Sequence, residues 1–222
     1  MFVSLVVILF RNKFQSRNIY SKFEMSTHIS HGIKNTFYFF TITCCNWIPL
    51  FEMTSLYDNI YKWFDILKKR SIFINSFVIM PNHLHAIIYI NESDRRINDI
   101  VGTGKRFMAY EIVKRLKTVN DVTTLRKLSD AVPLSERLRG KLHNVFEPFP
   151  DIKEIESLKF MIQKINYIHR NPVSGKWRLV EDYREYKHSS AGFYEPIENV
   201  PYSGYKVVHF EKVEEVIERM EV

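Results

Sequence analysis

Two histidines separated by one residue, His83 and His85, are the side chains of this chain best suited to bind a metal ion. Apolar, β-branched runs flank them on both sides and predict two strands, with a tight turn at Pro81 and Asn82. Because side chains alternate along a strand, the two imidazoles are expected on the same face of the sheet. The pattern indicates a metal-binding pair. The alternative is two half-buried strand histidines with local partners.

A second group of polar side chains comes far downstream, at the end of a predicted helix. The helix-forming stretch begins at Asp151, a candidate N-cap with Glu154 three residues later. Pro172 ends the helix near Asn171, because the residue before a proline is disfavoured in the α region. Tyr167 and Asn171 are four residues apart and share one face, provided that the helix reaches Asn171. That face would present a phenol and an amide oxygen, although a tyrosine alone in such a helix more often packs in the core.

Taken together, these motifs resemble one family. The stretch MPNHLH, followed by YIHRNPVSGKW and then DYREYKHSSAGFY, is similar to the REP-associated tyrosine transposases of the single-tyrosine HUH transposase superfamily. The resemblance covers residues 37–194 and includes FFTITCCNWIPLFE as the first strand and the step into the first helix. Each motif is short, and their order and spacing carry the resemblance.

The resemblance implies a role for four side chains. His83 and His85 match the two metal-binding histidines of the family. Tyr167 matches its nucleophile, and Asn171 matches the polar residue one turn later that can complete the metal site. The implied ion is Mg²⁺ or Mn²⁺, of which imidazole suits Mn²⁺ better. It would polarise the scissile phosphate for attack by a weakly nucleophilic phenol. The product would be a covalent 5′-phosphotyrosine, which keeps the bond energy for rejoining strands without ATP.

Tyr110 is a rival nucleophile, because it lies on the predicted basic helix after the histidines. It lacks a nearby NPV sequence, and Lys114 stands four residues after it, where Tyr167 has Asn171. The chain departs from the family's pattern before the tyrosine helix, where HNVFEPF replaces the usual Trp-Gln pair or its equivalent. That departure bears on the choice of DNA substrate, while the His, Tyr and Asn side chains needed for the chemistry are intact.

The chain is basic, with 32 Lys and Arg, 25 Asp and Glu, and a formal net charge of +7. This balance suits a polyanionic partner such as DNA. The predicted helix after the histidines carries five cationic side chains that could contact phosphates, with a solvated basic face as the alternative: Lys105, Arg106, Lys114, Arg115 and Lys117. Gly102 and Gly104 in the same helix lack the rest of a Walker pattern, so a nucleotide-binding loop is rejected.

The elements follow a β-α-β-β-α order. Strands are predicted over 37–44, 73–80 and 84–90, with a further one near 141–146, and helices over 55–69, 97–117 and 151–171. The polar interval 118–140 is either a mobile insert or a short helix. This order predicts an α+β fold with a small antiparallel sheet and helices packed on one face. The resemblance implies a ferredoxin-like sandwich, which agrees.

Residues 25–195 are expected to form the transposase-like domain. Residues 1–24 would be an N-terminal extension or an over-long start, and 196–222 a tail with a short helix from Glu211. The apolar first ten residues are too short for a membrane span and lack the basic start of a secretion signal. Cys44 and Cys45 are adjacent and cannot form an ordinary structural disulfide. These features favour a cytoplasmic protein that does not enter the membrane.

Three functions compete at this point. The first is metal-dependent cleavage and transfer of single-stranded or hairpin DNA by a transposase or nickase. The second is a non-catalytic DNA- or RNA-binding module derived from such an enzyme, but binding alone needs neither His83 and His85 nor Tyr167. The third, a structural zinc domain, is disfavoured because the sequence has no second Cys/His pair at finger or ribbon spacing. The target sequence, the rejoining of strands and the choice between monomer and homodimer stay open.

Overall fold

A four-stranded antiparallel sheet forms the centre of the fold in the computed structural model, which describes residues 33–93 and 95–210. The strands stand in the order β2-β3-β1-β4, and each neighbouring pair is antiparallel. Their bounds are Ile33–Thr43 for β1, Ile72–Met80 for β2, His83–Ser93 for β3 and Asp151–Glu154 for β4.

Seven α-helices accompany the sheet within the described residues. Three of them are long enough to cover a sheet face or a large part of one: α2 (Tyr57–Lys68), α3 (Ile97–Thr118) and α6 (Leu158–Arg170). The others are shorter: α1 (Leu50–Met53), α4 (Val122–Asp130), α5 (Leu134–Arg137) and α7 (Ala191–Tyr194).

The helices cover both faces of the sheet. Phe40 and Ile42 of β1 belong to the larger core, which also contains the buried faces of α2 and α3. Phe39, next to Phe40 in the sequence, points to the opposite face and joins the smaller core around α6. The predicted α+β class with a small antiparallel sheet is confirmed. The expectation of helices on one face needs a correction, because Val78 and Ile87 also make the second face apolar and α6 covers it.

The β2–β3 hairpin has the predicted two-residue turn at Pro81 and Asn82. Neighbouring backbone holds this turn in place: the Phe51 N–H donates to the Pro81 carbonyl at 3.0 Å, and the Cys44 N–H donates to the Asn82 carbonyl at 2.8 Å. The turn therefore fixes where β3 starts, and His83 is its first residue.

Two predictions between α5 and α6 are wrong. Residues 141–146 contain no strand, only an isolated bridge between Cys44 and Phe146. Residues Asp151–Glu154 form β4 along the free edge of β1 instead of opening a helix. Helix α6 begins at Leu158, and the hydroxyl of its N-cap Ser157 accepts a hydrogen bond from the Phe160 N–H. An available strand edge outweighs a local capping signal here.

Two glycines that resemble a phosphate loop are ordinary members of α3. A Cβ added to Gly104 would lie 2.4 Å from ring atoms of Trp63 on α2. The glycine therefore allows α2 and α3 to pack closely. Cys44 and Cys45 are both buried and free.

The polar interval 118–140 folds into α4 and α5. The described part of the tail packs on the fold, since Val207 and Phe210 are buried and the Asn75 side-chain amide donates to the Val208 carbonyl. The proposed extension 1–24 and the tail helix from Glu211 lie outside the described residues. In the part of the chain that is described, no helix has the length and apolar character needed to cross a membrane.

Candidate active site

The rings of His83 and His85 lie side by side on the sheet face that α6 covers. Their centroids are 4.6 Å apart, and both side chains are buried. Strand β3 positions them through its pairing with β1, which sets His83 opposite Thr43 and His85 opposite Thr41. The alternation of side chains along β3 thus brings two imidazoles into one pocket, as the spacing predicts.

Asn82 determines which nitrogen of His83 carries the proton. Its side-chain amide donates to the Trp47 carbonyl at 3.0 Å, which leaves its oxygen as the acceptor for His83 Nδ1 at 2.7 Å. A neutral His83 ring then has a lone pair at Nε2. The Asn171 side-chain oxygen lies 3.2 Å from that nitrogen. Two electron-pair donors facing each other at this distance form an arrangement that a bound cation would stabilise.

His85 has a partner on each ring nitrogen. The Thr41 hydroxyl lies 2.8 Å from Nδ1, and the Tyr167 hydroxyl lies 3.2 Å from Nε2. When Nδ1 donates to the threonine oxygen, Nε2 is free to accept from the phenol. The proposed nucleophile is therefore in direct contact with one of the two histidines.

Burial keeps both histidines neutral. It lowers the pKa of His83 to about 4, and the Asn171 contact opposes this only in part. Burial also lowers the pKa of His85 well below its usual value, with further contributions from His83 and the Lys164 ammonium. Neutral imidazole is the form that binds metal ions, so this pair needs no deprotonation at neutral pH.

Helix α6 presents Tyr167 and Asn171 to the histidines. The α-helix ends at Arg170, but Asn171 keeps helical dihedral angles, with φ −56° and ψ −43°. The four-residue spacing therefore places both side chains on one face, as predicted. Tyr167 is 48% exposed, unlike a core tyrosine, and its ring centroid lies 5.0 Å from that of His85.

His169 attaches this end of α6 to the sheet. Its Nε2 lies 2.9 Å from the Ser190 hydroxyl and 3.2 Å from the Ser76 hydroxyl, and all three side chains are buried. Ser76 follows the irregularity in β2 pairing. These polar contacts hold the helix turn that lies between Tyr167 and Asn171 in the sequence.

Lys164 is a site residue that the sequence reasoning missed. Its ammonium nitrogen lies 4.2 Å from the centroid of the Phe39 ring and 5.4 Å from that of Tyr167. Partial burial lowers the pKa of Lys164, and Lys153 lowers it further. The sequence does contain a signal for Lys164: it stands three residues before Tyr167, which puts both side chains on one helix face. Arg170, three residues after Tyr167, is exposed.

The five cations predicted to contact DNA lie on α3, across the sheet from the histidines. Two of them contact other parts of the chain: Lys105 donates to the carbonyls of Glu147 and Pro148, and Arg115 contacts Asp58, Glu111 and nearby carbonyls. Lys114 pairs with Glu111 at 3.4 Å. Arg106 and Lys117 are exposed. The structure does not bring this helix to the histidine pair, and its contact with DNA stays a prediction.

Tyr110, the rival nucleophile, is 73% exposed on the same helix α3. The sheet separates that helix from the face that carries His83 and His85. The geometry therefore associates the histidine pair with Tyr167.

The donor atoms fit a divalent cation that brings additional ligands. Among the described residues, no group of three or more His, Cys, Asp or Glu side chains could hold a metal ion. The candidate set consists of the Nε2 atoms of His83 and His85 and the Asn171 side-chain oxygen. These three neutral donors leave room for phosphate oxygens or water, which suits Mn²⁺ or Mg²⁺ better than a closed zinc site.

Comparison with known proteins finds likeness at the level of structure only. No protein-family model matches the chain, and no curated protein matches it. One similar solved structure is a REP-associated tyrosine transposase bound to a REP hairpin, with 20% identity and a TM-score of 0.48 over 84% of this chain and 95% of that one. Another is a candidate transposase from Deinococcus radiodurans R1, with 14% identity and a TM-score of 0.34 over 66% of this chain and 95% of that one.

Both solved structures are described as transposases. The motifs of this chain also resemble a transposase family. At such identities and TM-scores they do not indicate what this chain binds or cleaves. The case for a function therefore depends on the side chains around His85 and Tyr167.

Proposed function

We propose that the protein cleaves and transfers single-stranded or hairpin DNA, with Tyr167 as the nucleophile. The observation that carries the proposal is the position of Tyr167: its hydroxyl lies 3.2 Å from Nε2 of His85, and the residue is half exposed beside the pair of neutral histidines. A tyrosine that only packed in the core would be buried, whereas Tyr167 is half exposed beside His83 and His85. Lys164 adds a positive charge where a phosphate or a phenolate would gain from it.

The proposed reaction is a transesterification. The Tyr167 oxygen loses its proton and attacks the phosphorus, forming a phosphotyrosine with the 5′ end of the fragment downstream of the break. The bond from phosphorus to the 3′ oxygen breaks, and that oxygen takes a proton and leaves as a 3′-hydroxyl. Reversal with another 3′-hydroxyl rejoins a strand without another source of energy.

His83, His85 and Asn171 would hold the metal ion. When bound, such an ion neutralises phosphate charge and makes the phosphorus more electrophilic. The chain's own residues do the rest: Asn82 and Thr41 orient the two imidazoles, His169 fixes the helix turn, and Lys164 supplies positive charge near the phenol.

The test is the detection of a covalent adduct. Single strands and hairpins with random loops, labelled at either end, are incubated with the protein and Mn²⁺ and run on denaturing gels. A 5′-phosphotyrosine keeps the 3′-labelled fragment on the protein and releases the 5′-labelled one. The wild-type protein should form this adduct, and Tyr167→Phe should form none while binding the same strands.

Tyr110→Phe is the matched control, because it removes the same oxygen from an exposed tyrosine on the opposite side of the sheet. It should form the adduct at the wild-type rate. Adduct in Tyr167→Phe but not in Tyr110→Phe would assign the reaction to Tyr110. Binding without any adduct in the wild-type protein would favour the non-catalytic DNA- or RNA-binding module.

A further inference from the structure

Trp47 is an exposed aromatic side chain next to the candidate active site. The residue is 58% exposed, and its ring centroid lies 6.0 Å from that of His83 at an interplanar angle of 67°. The chain has three tryptophans. Trp63 is buried in the larger core, and Trp177 packs against the smaller one. Trp47 is thus a large apolar surface facing solvent beside a polar pocket.

The backbone that presents this ring is strained. Asn46 and Trp47 both have left-handed dihedral angles, with φ of 53° and 56°. Non-glycine residues rarely adopt this region, and a bulky one does so only when its surroundings hold it there. Three hydrogen bonds hold this segment: the Asn46 N–H donates to a Glu147 carboxylate oxygen at 2.8 Å, the Trp47 N–H donates to the Cys44 carbonyl at 3.0 Å, and the Asn82 side-chain amide donates to the Trp47 carbonyl at 3.0 Å.

Asn82 connects the tryptophan to the histidine. Its buried amide donates to the Trp47 carbonyl through nitrogen and accepts from His83 Nδ1 through oxygen. One side chain therefore holds the Trp47 backbone and sets the proton position on a proposed metal ligand.

We propose that Trp47 is a stacking platform for an unpaired nucleobase next to the scissile phosphate. This inference rests on the proposed function, because it takes the phosphate to lie at the His83–His85 pair. Aromatic rings bind the bases of single strands by stacking, and every base has a face to stack. The Trp47 and His83 ring centroids are only 6.0 Å apart, so a base stacked on the indole would lie close to the proposed position of the phosphate. The base therefore belongs to the nucleotide at the break or to its direct neighbour.

The experiment uses a single strand that the wild-type protein cleaves, with 2-aminopurine placed in turn at the two nucleotides on each side of the break. Binding is measured in the Tyr167→Phe background, where no adduct forms. One of the four positions should lose fluorescence on binding, and the added Trp47→Ala substitution should abolish that loss. Affinity should fall by about 5- to 100-fold, as for removal of one base–aromatic stack.

A second measurement separates stacking from a structural role. In the wild-type background, Trp47→Ala should raise KM with little change in kcat, and Trp47→Phe should recover part of the effect. An abasic nucleotide at the quenched position should lower the DNA affinity of the wild-type protein as much as the Trp47→Ala substitution does. In the Trp47→Ala variant, the same abasic nucleotide should cause no further loss of affinity. Tyr110→Ala, which removes an exposed ring across the sheet, should behave as the wild-type protein.

Failure of the inference and failure of the proposed function give different results. Adduct formation with unchanged KM and unchanged quenching in Trp47→Ala would overturn the stacking platform and leave the nucleophile assigned to Tyr167. If the wild-type protein forms no adduct, the cleavage proposal falls. The fluorescence scan is then made along a bound, uncleaved strand, and quenching that does not depend on Trp47 overturns the platform.

Discussion

The phenol oxygen of Tyr167 and Nε2 of His85 share one hydrogen bond, 3.2 Å long. When the proton of the neutral imidazole is on Nδ1, beside the Thr41 oxygen, Nε2 has one lone pair and can accept from the phenol or bind a cation, but not both at once. Metal binding at His85 therefore has to release the tyrosine hydroxyl. In this arrangement, occupation of the metal site and the freedom of the nucleophile are coupled.

The coupling predicts that Tyr167→Phe binds Mn²⁺ more tightly than the wild-type protein in the absence of DNA. The ion no longer displaces a hydrogen bond worth about 0.5–1.5 kcal/mol, so affinity should rise by about 2- to 10-fold. Titration calorimetry or Mn²⁺ spin resonance measures this directly. Weaker binding in the variant would instead mean that the phenol oxygen is itself a ligand.

Replacement of the histidine pair tests the metal site itself. His83→Ala together with His85→Ala should abolish Mn²⁺ binding and adduct formation while DNA binding persists, because base and phosphate contacts elsewhere are unchanged. His188→Gln is the control, since this histidine contacts Tyr57 and Tyr61 rather than the pair and should keep Mn²⁺ binding. Normal adduct formation by the double variant would contradict the metal hypothesis.

The sequence predicts the histidine pair well because its information is local. Alternation along one strand and a two-residue turn suffice to set His83 and His85 side by side, and a four-residue helical spacing suffices for Tyr167 and Asn171. The contact between these two groups is not local, since 82 residues separate His85 from Tyr167. The family resemblance supplied that connection.

Contacts between residues far apart in the chain could not be predicted from the sequence. Asp151 and Ser157 are both reasonable N-caps, and only the free edge of β1 decides that Asp151 enters a strand. The intramolecular acceptors of Lys105 and Arg115, the Glu147 carbonyl and Asp58, lie 42 and 57 residues away, so the sequence does not show them. The contact of these two cations with DNA stays a prediction. No sequence motif singles out Trp47, because its exposure and left-handed backbone are visible only in the fold.

The protein should lose stability between pH 7 and pH 5. Burial lowers the pKa of His83 and His188 to about 4 and that of His169 to about 3. Unfolded histidines titrate near 6.5, so below that pH the unfolded state binds more protons than the folded one. The buried neutral histidines do not reduce the free energy of unfolding well above pH 6.5. They reduce it progressively as the pH falls from 6.5 toward their pKa values in the folded state.

Each buried histidine should lower the free energy of unfolding with a slope that grows toward about 1.4 kcal/mol per pH unit as the pH falls from 6.5 to 5. Urea denaturation at pH 7, 6 and 5 measures the slope, which His169→Gln should reduce by close to one proton. Carboxylates with lowered pKa values, such as Asp58 and Asp182, titrate below this window. Equal stability at pH 5 and pH 7 would show that these histidines are not buried in neutral form.

The two basic faces can be compared by removing equal charge from each. Lys164 and Arg170 flank Tyr167 on α6, whereas Arg106 and Lys117 are exposed on α3 across the sheet. Because phosphates near the break should face α6, Lys164→Ala with Arg170→Ala should slow adduct formation at least tenfold. Arg106→Ala with Lys117→Ala should leave the rate of the bound complex unchanged.

Salt dependence of binding then shows which face contacts the DNA backbone. Removal of one cation that binds a phosphate should reduce the slope of log affinity against log salt by about 0.7 for a single strand. A reduced slope in the α3 pair would support the predicted contacts of that helix away from the break. A larger drop in adduct rate in the α3 pair than in the α6 pair would contradict the placement of the scissile phosphate at Tyr167.

The left-handed backbone at Trp47 predicts an unusual order of stability among its variants. Glycine adopts a φ of 56° without steric cost, while alanine has the same Cβ penalty as the native residue. Trp47→Gly should therefore be more stable than Trp47→Ala by about 1 kcal/mol, the reverse of the usual order in which glycine destabilises. Thermal or urea denaturation measures the difference. Exposed Tyr110 on α3 is the control, where Tyr110→Gly should be the less stable of the same two substitutions because glycine is a poor helix former. If Trp47→Ala proves the more stable of its pair, the strain that holds the indole beside His83 is absent.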